Sequence, residues 1–174
     1  MNERIPIVLK ADGDCAYAEA LAAHLKTTLL HTTPDAPVWL SVDAAGLSLT
    51  DGDQAMRGDF TKLQKRLQYH NLTHELLVKA TKVKGRENLR VIDATAGMGE
   101  DSLLLAAAGC EVTLFEQDPV IAALLRKGIK DVLQELPAHA DAGVGDGPAI
   151  RHGEVLDAEV FHARGDFAAD AVIF

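Results

Sequence analysis

Asp93-Ala94-Thr95-Ala96-Gly97-Met98-Gly99-Glu100-Asp101 is the stretch on which the fold turns. It follows Leu89-Arg90-Val91-Ile92-Asp93, a short apolar run with strand character, and precedes a helix predicted from Asp101 to about Ala108. Glycines at 97 and 99 let a strand-to-helix turn bend tightly and approach a ligand closely, although the same pair also suits a plain tight turn. Outward from the loop the pattern is regular. Glu111-Val112-Thr113-Leu114-Phe115-Glu116 reads as the next strand, and Asp118-Pro119 opens a further helix with Asp at the cap and Pro at the first helical position. Residues 137–148 are rich in Gly, Ala and Pro and read as a loop, residues 149–151 as a short strand, and Ala169-Asp170-Ala171-Val172-Ile173-Phe174 as a fourth strand. Strand-helix alternation of this kind predicts an α/β fold, a parallel-type sheet with helices on both faces. Doubly wound sheets normally run to five or more strands, so the sheet reads as incomplete at the C-terminus and the chain as the amino-terminal portion of a longer protein.

The loop is poorly furnished for a dinucleotide. Ser102 stands where the third glycine of G-x-G-x-x-G belongs, and the helix opens with Glu100 and Asp101. A pyrophosphate uses a helix N-terminus as its anion site. Two carboxylates there would oppose it by about 1 kcal/mol or more even with generous screening. The expected ligand lacks phosphate and carries positive charge, which S-adenosylmethionine does through its sulfonium and ammonium groups. Asp93, at the carboxyl end of the first strand of this sheet, is suited to attract that ammonium; the competing reading is a carboxylate that closes the loop through backbone amides. Glu116 ends the second strand, where an acid can accept from both ribose hydroxyls, or else serve as a surface or capping acid. Beside the third strand stand His152, Gly153, Glu154 and Val155, the expected neighbours of the adenine. His152 is a lone histidine, more often structural than a base, and no metal site is expected.

Residues 1–56 read as a small α/β unit. Ile5-Pro6-Ile7-Val8-Leu9 is a strand, Asp14 caps a helix to about Lys26, and Val38–Val42 with Leu47–Thr50 form a hairpin about Asp43-Ala44-Ala45-Gly46. Asp51-Gly52-Asp53 closes the unit. Residues 57–174 form the second region. Within it, residues 60–84 are predicted helical with a break near His70-Asn71, with Leu63, Leu67, Leu76, Leu77, Ala80 and Val83 as the apolar positions and Gly85 as the stop.

The 174 residues carry a net charge of −9, with 48% hydrophobic and 25% charged residues, so a buried core is attainable and global disorder is excluded. No apolar run approaches a membrane span, no signal peptide opens the chain, and two cysteines make neither a disulfide framework nor a zinc site. A reduced, cytoplasmic protein is expected. The charge is unevenly spread. Residues 57–90 hold nine basic residues against three acids, leaving −15 on the remainder. A basic segment on an acidic body can serve a phosphate-facing surface, or can be a solvated face.

Val91–Asp101, Ala108-Gly109-Cys110 and Phe115–Leu125 together resemble the RsmJ family, bacterial enzymes that methylate N2 of a guanine in small-subunit (16S) ribosomal RNA with S-adenosylmethionine. The D-A-T-A-G-x-G-x-D and E-x-x-P-x-x-A-x-L-L runs carry the likeness, which spans roughly residues 60–174. The resemblance implies a Rossmann-like methyltransferase fold, a small-subunit ribosomal RNA partner, and cofactor contacts at Glu100 and Asp101, Glu116 and Gln117, and Glu154 and Val155. These join Asp93, Gly97 and Gly99 from the loop. An Asp-Pro-Met-Phe-like motif follows the fourth strand in that family and holds the target guanine; the chain stops at Phe174, short of it. No catalytic residue is therefore assigned within residues 1–174, and cofactor binding that is weakened or absent, without turnover, is expected of this chain. A non-catalytic cofactor- or RNA-binding fragment of the family is the first alternative and a nucleotide-dependent oxidoreductase the second.

Overall fold

The computed structural model describes residues 4–82, 84, 89–135, 155–157 and 171–173. They fall into two compact units: residues up to Asp59 together with Ala123–Asp131, and Phe60–Ala122 together with the residues after Asp131.

The first unit is a five-stranded mixed sheet of order β2-β1-β3-β4-β5. Strand β1 (Ile7–Leu9), an all-apolar triplet buried along its length, is paired in parallel with β2 (Leu29–Leu30) on one side and the central β3 (Trp39–Asp43) on the other. Helix α1 (Cys15–Leu25) starts where expected, because an Asp14 carboxylate oxygen accepts from the Tyr17 amide at 3.0 Å. The helix ends at Lys26, which takes a left-handed φ of 52°. The predicted hairpin is β3 with β4 (Gly46–Thr50), antiparallel from Trp39 opposite Thr50 to Asp43 opposite Gly46. Asp51 does not close the unit. Its Oδ1 accepts from the Asp53 and Gln54 amides, a turn that folds β5 (Ala55–Met56) back onto β4.

The second unit holds a parallel sheet of order β8-β7-β6-β9, made of β6 (Arg90–Asp93), β7 (Glu111–Glu116), β8 (Val155–Asp157) and β9 (Ala171–Ile173). Asp93 lies level with Leu114 on one side and Ile173 on the other, so β7 overhangs β6 by two residues and carries Glu116 beyond the strand edge. Helix α4 (Glu100–Ala107) buries every residue from Ser102 to Ala107. Helix α5 (Pro119–Glu135) begins at the expected cap, with Asp118 Oδ1 accepting from the Val120 and Ile121 amides at 2.8 and 3.1 Å.

The structure corrects two expectations here. Residues 60–84 are not one helix with a break at His70-Asn71. They form a 3₁₀ turn (Thr61–Leu63), a four-residue α2 (Tyr69–Leu72) that contains His70 and Asn71, and α3 (Leu76–Thr81). The interruption at Thr73–Glu75 resets the helical phase, so α3 buries Val78 and Thr81 while Leu76 is 80% exposed and Ala80 also faces solvent. Leu67 and Leu72 pack on Leu104 and Ala107 of α4. The third strand of the sheet is Val155–Asp157, so Val155 lies within a strand, level with Leu114, rather than in the turn after one. A β-branched residue type favours a strand over a turn. Residues 149–151, Gly85, Glu154 and the loop at 137–148 lie outside the described residues.

Candidate functional site

Because β6 has β7 on one side and β9 on the other, its carboxyl end is the point at which the chain crosses from one half of the sheet to the other, and ligands of open α/β sheets bind there. A cavity of about 390 Å³ opens at this place, lined by Leu77, Asp93, Thr95, Ala96, Met98, Gly99, Glu100 and Asp101. Four of the expected residues thus line one cavity: Asp93, Gly99, Glu100 and Asp101.

The loop is built by backbone bonds that need its glycines. The Ala96 amide donates to Phe115 O at 2.8 Å and the Gly99 amide to Ala96 O at 2.7 Å. Gly97 and Gly99 hold φ of 53° and 79°, the left-handed region that strains other residues. Gly99 is the N-cap of α4 and offers no side chain to the helix amides. The helix start is therefore left open toward the cavity, with Glu100 and Asp101 exposed in its first turn.

Asp93 is 4% exposed. Its Oδ1 accepts from the Thr95 amide at 3.2 Å and its Oδ2 from the Ser102 hydroxyl. Burial pushes its pKa above the usual carboxylate range, the Ser102 and Thr95 bonds pull it back, and the nearby Asp101 and Glu116 push it up again. Asp93 thus closes the loop through a backbone amide and also lines the cavity.

Glu116 reaches the loop from behind. Its Oε2 accepts from the Gly97 amide at 2.9 Å and its Oε1 from the Asp118 amide at 2.8 Å. Each carboxylate oxygen carries a second lone pair, so these bonds leave Glu116 able to accept again. Gln117 is exposed beside it. In β8 the residue level with Glu116 is Asp157.

Arg66 feels the acids of this turn. Its guanidinium makes a two-pronged pair with Glu75 at 2.8 and 2.9 Å, which chiefly raises its pKa, and Asp101 and Glu100 add to the effect. Of the nine basic residues in 57–90, Arg57 is likewise held by Asp43 at 2.7 and 3.1 Å, and Arg86 lies outside the described residues. Lys62, Lys65, Lys79, Lys82 and Lys84 are exposed. Sequence reasoning missed Leu77, Thr95, Ala96 and Met98 as lining residues and Ser102 as the partner of Asp93. Only Ser102 had a signal, its place at the missing third glycine. No helix among the described residues is long and apolar enough to cross a membrane.

Comparison with known proteins shows the family and the fold. A family model described as "Putative SAM-dependent methyltransferase" matches residues 23–141. The chain is 43% identical over 135 residues to ribosomal RNA small subunit methyltransferase J of Thioalkalivibrio sulfidiphilus, covering 74% of this chain and 53% of that protein. It is 37% identical over 137 residues to the protein of the same name from Alkalilimnicola ehrlichii, covering 75% and 52%. The chain thus spans about half the length of the curated relatives it matches. The crystal structure of a SAM-dependent methyltransferase from Neisseria gonorrhoeae superposes with a TM-score of 0.61 at 29% identity, covering 75% of this chain and 54% of that one. The resemblance to the RsmJ family and the Rossmann-like expectation are both borne out.

Proposed function

The chain belongs to the family of SAM-dependent methyltransferases whose model it matches, and on that premise we propose that it binds S-adenosylmethionine and serves the methylation of N2 of a guanine in 16S ribosomal RNA, in the cytoplasm. The observation that carries the reading is the cavity at the end of β6, bounded by Asp93, Glu100 and Asp101 with no side-chain cap on α4. An anionic wall around an open helix start favours a cationic, phosphate-free guest over a pyrophosphate. When bound, S-adenosylmethionine supplies an electrophilic methyl on sulfur, which a guanine amine can accept while releasing a proton.

The residues of the chain do the holding. Asp93 meets the ammonium of the methionine part, Glu100 and Asp101 keep the mouth of the cavity negative, and Glu116 offers its remaining lone pairs to the ribose hydroxyls. Gln117, next along, lies where the nucleoside would pass, and Glu154 precedes the strand nearest the adenine. The exocyclic amine of guanine is a weak nucleophile because its lone pair is delocalised into the ring, so alignment and acceptors for its hydrogens dominate the chemistry. The exposed lysines of 57–90 supply attraction for RNA phosphates.

Isothermal titration of the chain with S-adenosylhomocysteine, with NADH as the comparison, tests the reading. Binding of the first without the second is the expected result. Retention of NADH with no response to S-adenosylhomocysteine would overturn it in favour of a nucleotide-dependent oxidoreductase.

A further inference from the structure

Ser102 replaces the glycine that would close a dinucleotide loop, and it is 3% exposed, with its hydroxyl donating to the carboxylate of Asp93, itself 4% exposed. The bond runs from the first turn of α4 to the end of β6, so the helix and the strand that frame the cavity are joined through the one carboxylate buried in its wall. We propose that Ser102 is a positioning residue for the cofactor: it orients the Asp93 carboxylate and keeps it ionised to receive the ligand's ammonium group, so that the amino-acid end of the ligand, and not its nucleoside, depends on Ser102. The inference rests on the function proposed above.

The physical case is one of compensation. A buried carboxylate with no donor neutralises itself by taking a proton, and a neutral Asp93 has nothing to offer an ammonium. The groups facing it are Ser102 and Asp101 from α4, Glu116 from β7 and the Thr95 amide from the loop. Burial first, and then the two acids, push it toward protonation; among the described residues the hydroxyl and one amide oppose them. Ser102 is therefore half of the hydrogen-bonding support that holds the charge. A glycine or alanine there would leave the same cavity with a weaker anion.

Two measurements on the 174-residue chain test this. The first is the pKa of Asp93 by carbon NMR in the ligand-free protein, for the unmodified chain, Ser102→Ala and Ser102→Thr. The expected result is an upward shift in Ser102→Ala that Ser102→Thr reverses; equal values in all three overturn the proposal. The second is binding of S-adenosylhomocysteine, which carries the ammonium, and of methylthioadenosine, which lacks it, as a function of pH. Asp93 must be ionised to attract the ammonium, so affinity for S-adenosylhomocysteine is present above its pKa and lost as pH falls through it. Ser102→Ala should move that loss to higher pH and leave methylthioadenosine unaffected. Equal losses for both ligands would mean Ser102 only shapes the loop, which overturns this proposal and leaves the methyltransferase reading intact. Binding of neither ligand by the unmodified chain overturns that reading, and the inference with it.

Discussion

The amide of Gly97 donates to Glu116 Oε2 at 2.9 Å, across nineteen positions of sequence, while Glu116 Oε1 takes the Asp118 amide at 2.8 Å. One carboxylate thus ties the glycine loop to the turn that starts α5, and it does so from the end of a strand long enough to overhang its neighbour. Glu116→Ala removes both acceptors and whatever the ribose receives. Its affinity for S-adenosylhomocysteine is expected to fall by about 1–3 kcal/mol, and amide hydrogen exchange at Gly97 and Asp118 should quicken even without ligand. Glu116→Gln keeps one oxygen acceptor and should fall between the two. Unchanged affinity in the alanine variant would remove Glu116 from the site.

A second close relationship lies in the other unit. A Cβ built on Gly128, within α5, would sit 2.5 Å from Gly58 O and 2.7 Å from Gly58 Cα, and one built on Gly58 would sit 2.7 Å from Leu124 O. The two backbones are in direct contact, and neither partner is a flexible side-chain end. In an ordinary helix interior, replacing Gly by Ala stabilises by about 1 kcal/mol. Gly128→Ala is expected to do the opposite and destabilise by about 1–3 kcal/mol, since the segment at Gly58 or the helix must move. Urea denaturation decides the sign.

How much of this was legible beforehand differs by region, for physical reasons. β6, α4, β7 and the start of α5 were readable because apolar runs of strand length alternate with helical spacing and are punctuated by Gly97, Gly99 and Asp118-Pro119. β2 and β5 are two residues each, too short for any alternation to show. Residues 60–81 misled because lysines and leucines at helical spacing sit on both sides of Thr73–Glu75, and nothing in the composition marks the break. Within the site, the acids were recognisable by type and position. What each one bonds was not: the Asp93–Ser102 pair and the Gly97–Glu116 pair depend on how α4 and β7 lie against β6, a matter of packing rather than pattern.

The Asp43–Arg57 pair makes a prediction about pH. The Arg57 guanidinium, bonded through both nitrogens, holds the Asp43 carboxyl below the usual carboxylate range, and the Ala45 amide adds to it. A lowered folded-state pKa means the contribution is fully present above the unfolded value, near 4, and is lost as pH falls through the folded one. With side chains 30% and 26% exposed, the pair is worth about 1 kcal/mol or less and should weaken with salt. Arg57→Met should lower the free energy of unfolding at pH 7, read from urea denaturation, by that amount and have little effect at pH 2. An equal loss at both pH values would assign the effect to packing of the arginine stem instead.

The lysines of the second unit carry the last prediction. Lys62, Lys65, Lys79 and Lys82 are exposed, whereas Arg66 is committed to Glu75 by two hydrogen bonds, so any phosphate contact made by this segment falls to the lysines. Each lysine that neutralises a phosphate releases a counterion, and the logarithm of affinity falls with the logarithm of salt by about 0.7–0.9 per contact. Replacing all four by alanine should weaken binding of a small-subunit RNA fragment and flatten its salt dependence by about 3 if every one touches phosphate. Arg66→Ala should alter the slope little, because its charge is already matched. Affinity for S-adenosylhomocysteine should stay where it was in the four-lysine variant, since none of these side chains lines the cavity. A salt slope identical to that of the unmodified chain would show that RNA approaches from another side, and the basic segment would then be a solvated face.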